Sequence, residues 1–245
     1  MLAAILIGSS APSQALPPGL VSWYRAENNA LDAQGVSNGT QQGTVNYAPG
    51  AVGQGFSLAN SGYIDVASPT LNASAAAFTI AGWFTITNPA GQPALLNFRN
   101  LSNNSGFTLE QDNGGQINFS IAKTGGGGVF TTLFSTGWAL NTAYYVAATF
   151  DGSVMDIYRD GSLLATRTDA VDTTATVTSP QLQIGRNIAN NSLWDGKIDE
   201  VQFYNRALTQ PEVASLVPEP GTVSMMILGI VSLGGFASRR RRIRA

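Results

Sequence analysis

Short bursts of alternating apolar and polar residues constrain this chain more than any other feature. They recur between residues 20 and 204, separated by clusters rich in Gly, Asn, Asp and Pro. Alternation with a period of two is typical of strands, and the separating residues favour turns. No repeat of 20–50 residues is visible, which disfavours a solenoid or a propeller. The pattern predicts an all-β fold, a sandwich of two packed antiparallel sheets.

The alternation delimits a series of candidate strands. They are residues 21–25, 55–59, 63–67, 78–87, 94–99, 106–111, 116–122, 129–134, 143–150, 154–159, 162–168, 181–186 and 197–204. The pair Asp160-Gly161 lies between two of these segments, and such a pair supplies the positive φ angles of a type I′ hairpin. Asp151-Gly152 predicts a second tight turn just before it.

The segment 78–87 is apolar on both faces. Phe78, Ile80, Phe84 and Ile86 share one face, whereas Trp83 lies on the other. A strand of this kind is either central and covered on both faces or presents one face to a ligand.

A single short helix is predicted near the end of this region. Thr209 and Glu212 have the spacing of a capping box, in which their side chains satisfy the free amides of the first turn. Val213 and Leu216 would then pack the helix onto the sandwich.

Composition excludes several classes of chemistry. The 245 residues include no cysteine and no histidine, which excludes disulfides, Ser-His-Asp and Cys-His catalysis, and His-ligated metal sites. A metal ion would need oxygen ligands, which indicates calcium or magnesium. Residues 16–217 carry eight basic and fourteen acidic side chains. This acidic balance leaves no basic face for nucleic acid or for an anionic membrane.

The first fifteen residues predict export. Residues 1–10 are nearly all apolar or small, and Ser13-Gln14-Ala15 is a small-x-small cleavage pattern before Leu16. Because the positively charged start of a secretory signal is missing, we interpret residues 1–15 as a truncated signal peptide. A buried N-terminal strand is the alternative.

The last 28 residues predict sorting at a membrane. Pro218-Glu219-Pro220 is followed by the uncharged residues 222–237 and then by a cluster of arginines: Arg239, Arg240, Arg241, Arg242 and Arg244. Sixteen helical residues span about 24 Å, less than the roughly 30 Å of the hydrocarbon core. The arginines favour the cytoplasmic side. This order of motif, apolar helix and arginines resembles the PEP-CTERM sorting signal of Gram-negative bacteria.

That resemblance implies transient insertion of a C-terminal helix into the inner membrane. It also implies cleavage by an exosortase and delivery to the cell surface or to an exopolysaccharide matrix. An ordinary tail anchor is the alternative.

Several stretches of the remaining chain resemble a LamG-like, concanavalin A-like jelly roll. They are residues 19–27 and 48–58, the segment Phe78-Thr79-Ile80-Ala81-Gly82-Trp83-Phe84, and residues 150–161 and 196–209. The resemblance implies a jelly-roll domain over residues 16–217, followed by a separate sorting segment over residues 218–245. This fold hosts lectins, adhesion modules, enzyme accessories and some glycanases, so it implies little about function.

The resemblance also implies a structural calcium ion between the N-terminal segment and the closing strand. Asp199 matches the aspartate of the family's closing strand, and Glu27 and Asp32 lie in the loop that would meet it. Calcium takes six to eight oxygen ligands, which carboxylates and loop carbonyls supply. The alternative is that Asp199 accepts loop amides and the other two are solvated.

Catalysis receives little support from the sequence. Laminarinase-type relatives carry Glu-x-Asp followed by a second Glu, whereas Glu110-Gln111-Asp112 is followed by Asn113-Gly114-Gly115. A glycosidase needs two carboxylates flanking the scissile bond. We therefore expect a protein without catalytic activity.

Carbohydrate binding is the preferred hypothesis. Sugars stack on aromatic rings and bond to amide side chains. Trp194 and Trp138 lie in loop-like contexts, and Asn190, Asn191 and Asp195 flank the former. We predict that this cluster binds a polysaccharide or another matrix polymer, with burial of both rings in the core as the alternative. A purely structural or adhesive surface protein that binds other proteins is the competing function, and glycoside hydrolysis is a remote one.

Overall fold

The computed structural model describes residues 15–66, 77–88, 91–100, 105–112, 115–122, 130–169 and 181–217. Within these ranges the chain forms seventeen strands and one helix. In chain order they are β1 (Leu20–Tyr24), β2 (Thr40–Gly43), β3 (Asn46–Pro49), β4 (Gln54–Ala59), β5 (Gly62–Val66), β6 (Phe78–Ile86), β7 (Ala94–Asn100), β8 (Ser105–Gln111), β9 (Gln116–Ala122), β10 (Phe130–Gly137), β11 (Ala143–Phe150), β12 (Met155–Arg159), β13 (Ser162–Arg167), β14 (Gln181–Ile184), β15 (Arg186–Asn187), β16 (Ser192–Leu193), β17 (Asp195–Tyr204) and α1 (Gln210–Ser215).

The strands form two antiparallel sheets packed face to face. The eight-stranded sheet has the order β13-β12-β11-β6-β17-β4-β3, with β1 also pairing with β17. The seven-stranded sheet has the order β10-β9-β8-β7-β14-β5-β2, and β15 and β16 form a small separate ladder. The predicted jelly-roll sandwich with one short C-terminal helix is thus confirmed. The predicted signal peptide and sorting helix lie outside the described residues, apart from Ala15.

The main core lies between the inner faces of the two sheets. Phe78 on β6 stacks on Phe107 of β8, with 4.6 Å between ring centroids, and Phe107 also stacks on Phe98 of β7. Burial of each such ring contributes about 1.5–3 kcal/mol. Because strand residues alternate between faces, these inward rings fix which side chains point outward.

Two bulges adjust that alternation. On β17 the register shifts between Asp199 and Gln202, and Glu200 adopts a positive φ of 52°. Ile198 and Val201 therefore both enter the main core, while Asp199 faces outward. On β7 a shift between Ala94 and Leu96 likewise turns two consecutive leucines inward. A bulge re-aims the side chains around it, so these two set which neighbouring side chains face the core and which face outward.

Helix α1 covers part of the outer face of the eight-stranded sheet. Val213 is fully buried there against a second hydrophobic cluster that includes Tyr145 and Tyr204, and Leu216 packs at its margin. The Glu212 carboxylate accepts the backbone amide of Thr209 at 2.8 Å. The predicted cap and the predicted packing of the helix are therefore confirmed.

The predicted hairpin is also present. Asp160 and Gly161 have φ angles of 50° and 78°, as a type I′ turn requires. The strands β2 and β3 escaped prediction because their sequences, TQQG and NYAP, are short, polar and interrupted by Gly or Pro. Trp83 packs beside the second cluster, so β6 is central and partly covered on both faces. In the described part of the chain, no helix has the length and apolar character needed to cross a membrane.

Candidate functional site

Asp32 serves the backbone of its own loop. It is 4% exposed, and its two carboxylate oxygens accept the amides of Trp23, Gln34, Val36 and Ser37 at 2.8–3.3 Å. Four backbone donors occupy the lone pairs of this carboxylate. Asp32 is therefore unavailable as a metal ligand, which corrects the prediction made for it.

Asp199 and Glu27 face the loop between β3 and β4. Asp199 is 2% exposed, and its Oδ2 accepts the Val52 amide at 2.9 Å. Glu27 accepts the Gln54 amide at 3.2 Å. Burial raises the pKa of Asp199 to about 6, and the charge of Glu27 adds to the rise. Asp199 thus accepts a loop amide, which is the alternative to calcium binding stated for it above.

The fit of a calcium ion can be tested on these donors. Calcium takes six to eight oxygens, yet among the described residues no three acidic side chains come together in a way that could hold a metal ion. The nearest further carboxylate, Glu200, accepts the indole N–H of Trp23 and lies 3.6 Å from Arg25 Nε. Structural calcium stays a prediction that rests on the resemblance alone.

The two tryptophans predicted to stack on a ligand lie in the core. Trp194 is 0% exposed and Trp138 is 8% exposed. Their rings pack against each other at 6.2 Å, and the Trp194 indole donates to the Thr85 carbonyl at 3.0 Å. Neither ring offers a face to a sugar, so the stacking role predicted for them is corrected to a packing role.

The polar residues that flank Trp194 in the sequence do not form a ligand site with its buried ring. Asn190 and Asn191 are exposed in the turn between β15 and β16, where Asn191 Oδ1 accepts both Nε and Nη2 of Arg186. Asp195 is half-buried at the start of β17. The structure therefore does not assemble the predicted ligand cluster.

A different polar arrangement crosses the outer face of the seven-stranded sheet. The cross-strand register aligns one side chain from every strand into a continuous row, which we call the polar ladder: Thr132, Ser120, Thr108, Asn97, Gln183, Asp65 and Thr40. Six strand spacings of about 4.8 Å make this row about 29 Å long. Every member is able to form hydrogen bonds.

The centre of the ladder is buried and incompletely bonded. Asn97 and Gln183 are 0% and 4% exposed. Within the described residues, their side-chain oxygens have no hydrogen-bond donor, and the same holds for Asn118 Oδ1 in the neighbouring row. A buried acceptor without a donor costs about 1–3 kcal/mol. Because these amides are buried, only a molecule as small as water can fill the acceptors. The side chains on this face that a larger ligand meets are Phe134, Thr132, Asp65 and Thr40, which are at least partly exposed.

A second row on the same face adds an aromatic ring and a carboxylate. Phe134, Asn118 and Glu110 are aligned on β10, β9 and β8. Phe134 is 54% exposed, so its ring is accessible from solvent. Tyr63 lies at the other end of the sheet, under the guanidinium of Arg186. Polar groups flanked by aromatic rings can bind the hydroxyls and the apolar faces of sugars.

Glu110 on β8 is a titratable group on this face. Its carboxylate accepts Asn187 Nδ2 at 2.7 Å. Burial raises its pKa to about 7, partly opposed by the charge of Arg99. Asp112 follows two residues later and accepts the Gln116 amide, which closes the β8–β9 turn.

Sequence reasoning missed the polar ladder because its members lie far apart in the chain. Thr40 and Thr132 lie at the two ends of the ladder, and only the pairing register of the seven strands places them in one row. The available signal was the alternation of polar with apolar residues in segments such as QINFS, which marks one outward face.

Two family models match the sequence. The model of the concanavalin A-like lectin/glucanases superfamily (Laminin G type) covers residues 58–214. The model of the PEP-CTERM protein-sorting motif covers residues 216–242. No curated protein matches the sequence significantly.

Solved structures share the fold at low identity. Domain 4 of AbnA, an extracellular arabinanase from Geobacillus stearothermophilus in complex with arabinotriose, has a TM-score of 0.67 and 17% identity, over 81% of this chain and 98% of that domain. The binding domain of botulinum neurotoxin DC in complex with SialylT has a TM-score of 0.65 and 16% identity, over 82% of this chain. This chain spans only 51% of the toxin domain. These likenesses establish the fold.

Proposed function

The chain belongs to the concanavalin A-like lectin/glucanase superfamily and carries a PEP-CTERM sorting motif, and we propose that it is an exported, non-catalytic protein that binds polysaccharide. The observation that carries the proposal is the polar ladder with the exposed ring of Phe134 beside it and with Thr132, Asp65 and Thr40 at least partly exposed. These side chains can bond sugar hydroxyls and cover a sugar face, and a row of about 29 Å suits an extended chain.

The outer face of the seven-stranded sheet also suits the proposal electrostatically. Asp65 and Glu110 contribute negative charge, and Arg186 and Arg99 contribute positive charge. Mixed charges among many amides and hydroxyls favour a neutral, hydrogen-bonding polymer over nucleic acid. Two of the structural neighbours were solved with arabinotriose and with SialylT, which makes glycans the first ligands to test.

The proposal is tested by affinity electrophoresis of the purified protein in gels containing arabinan, xylan, laminarin or dextran. We expect retardation in at least one gel. Replacing the exposed ring by Phe134→Ala should weaken binding about 3- to 10-fold. Leu163→Ala is the matched control, since Leu163 is 43% exposed on the other sheet. Unretarded migration in every gel would support the purely adhesive alternative.

The resemblance to an enzyme superfamily keeps glycoside hydrolysis as a second candidate. Glu110 has a raised pKa, as a proton donor requires, and Asp112 follows two residues later, just after the end of β8. Asn187 and the β8–β9 turn already engage these carboxylates, which favours binding over hydrolysis. Release of reducing ends from a retained polysaccharide, abolished by Glu110→Gln, would establish the enzyme instead.

We propose that the sorting motif directs export. The exosortase system would recognise residues 218–220, with transient membrane insertion of residues 222–237 and release to the cell surface or matrix. Deleting residues 239–244 should leave an unprocessed, cell-retained form, detectable by size on immunoblots. Unchanged release of the deletion variant would contradict this route.

A further inference from the structure

A shallow depression of about 220 Å³ lies on the outer face of the eight-stranded sheet. Cross-strand pairs Trp83–Asp199 and Thr85–Lys197 form its floor. Pro49 and Gly50 border it on one side, and Asn141 and Ala143 border it on the other. The depression thus lies on the opposite side of the sandwich from the polar ladder.

Asp199 brings an unfilled acceptor to this depression. It lines the depression and is 2% exposed, and its Oδ1 has no hydrogen-bond partner among the described residues. A Cβ at Gly50 would collide with the Asp199 carboxylate, so the loop holds this side chain closely. An unfilled buried carboxylate oxygen is costly unless a donor reaches it.

The remaining side chains restrict the chemistry of a ligand. Lys197 Nζ donates one bond, to the Pro49 carbonyl at 2.9 Å, which leaves further N–H donors on the ammonium. Trp83 is half-buried, and its ring is held at 67° to that of Tyr145. Asn141 is exposed at the rim with a positive φ of 57°. A carboxylate, an ammonium, an amide and an indole together match a neutral polyhydroxy ring better than an ion of either sign.

We propose that this depression is a second glycan site that takes one sugar residue, so that the domain bridges two polysaccharide chains from opposite faces. The inference rests on the proposed function, because it treats the polar ladder as the first site. The volume is below the 300–1,000 Å³ of sites for drug-sized ligands, which limits the occupant to about one ring. Binding at two faces converts weak contacts into avidity in a polymer network.

The single-residue site is tested by NMR titration of the purified protein with methyl glycosides of arabinose, glucose, galactose and N-acetylglucosamine, each at millimolar concentration. The four tryptophans give separate indole N–H signals, and Trp83→Phe assigns the one of interest. We expect one glycoside to shift the Trp83 signal. Asp199→Asn keeps the size of the side chain and should weaken that binding about 10-fold.

Asn141→Gly is a second variant that keeps the positive φ accessible while removing the amide. It should weaken glycoside binding without changing thermal stability by more than a few degrees. Asn190→Gly, in the exposed turn between β15 and β16, is its matched control and should bind as wild type. Failure of all four glycosides to shift the Trp83 signal would overturn the inference.

Bridging is measured by dynamic light scattering with the polysaccharide that retards the protein in affinity gels. Wild type should form large particles at intermediate ratios, and Asp199→Asn should bind polymer without enlarging the particles. If Asp199→Asn forms particles like wild type, the second site is refuted while the polar ladder stands. If Phe134→Ala keeps full polymer binding but Trp83 responds to glycosides, the ladder proposal fails and the depression alone binds sugar.

Discussion

On the outer face of the eight-stranded sheet, helix α1 covers Tyr145 and Tyr204 with the buried side chain of Val213. On the outer face of the seven-stranded sheet, every strand instead contributes a polar side chain to one row. The inner surfaces of both sheets contribute to one hydrophobic core. The difference indicates that the helix-covered part of the first face serves stability, while the second face carries a row of unfilled amide oxygens that stability alone does not require.

The largest effect should come from placing a charge under the helix. Val213→Asp would put a carboxylate at a position that is 0% exposed, which we expect to cost about 3 kcal/mol or more. Urea unfolding followed by tryptophan fluorescence measures the change. Ser215→Asp, on the same helix but only half-buried, is the control. A loss below about 1 kcal/mol for Val213→Asp would show that the helix cover contributes little.

The free energy of unfolding should also depend on pH, because three carboxyls on the outer faces have raised pKa values in the folded state. Burial raises the pKa of Glu200 and of Glu110 to about 7, and that of Asp199 to about 6. Because these carboxyls titrate near 4 when unfolded, the folded state binds more protons between about pH 4 and 7. Their contribution to stability is fully present below pH 4 and is lost as the pH rises through 7.

We therefore expect the free energy of unfolding to fall by about 1–3 kcal/mol from pH 5 to pH 8. Glu200 is 5% exposed whereas Glu110 is half-buried, so Glu200→Gln should flatten the profile more than Glu110→Gln. Urea titrations at four pH values measure both. An equal pH dependence of the free energy of unfolding in the two variants would contradict the larger effect expected for Glu200.

On the polar face, stability and binding should respond in opposite directions. Asn118→Leu removes a buried amide whose oxygen has no partner among the described residues, so we expect a change within about 1 kcal/mol, neutral or stabilising. Polysaccharide retention should fall about 10-fold. Thermal melts and affinity electrophoresis together check this. A strongly destabilised variant would mean that the row is structural.

The smallest effect concerns the edge of the helix cover. Glu212 bonds the Thr209 amide and forms an ion pair with Arg206 at 2.6 Å, with both side chains about 30% exposed. Because exposed ion pairs and caps are each worth little, Glu212→Gln should cost about 0.5–1 kcal/mol. Glu212 has its pKa lowered to about 2, mainly by the bond from Arg206, so the difference from wild type should disappear towards pH 2.

Short-range patterns in the amino-acid sequence predicted the class of fold, the hairpin turn and the helix cap. Alternation of period two, the Asp160-Gly161 pair and the Thr209–Glu212 spacing act over a few residues, and each predicted element is present. The family and the sorting motif were likewise readable from contiguous segments. Local chemistry suffices for such features because the interacting groups are near one another in the chain.

Which polar groups meet depends on long-range packing and on the register between strands. Whether Trp194 faces solvent or core depends on the packing of Trp138 and Thr85 around it, and no local pattern specifies that. The polar ladder depends on the register of seven strands, and the outward position of Asp199 depends on a bulge at Glu200. One residue of slippage exchanges the two faces of a strand, so surface sites on a sheet follow from pairing that the linear sequence does not display.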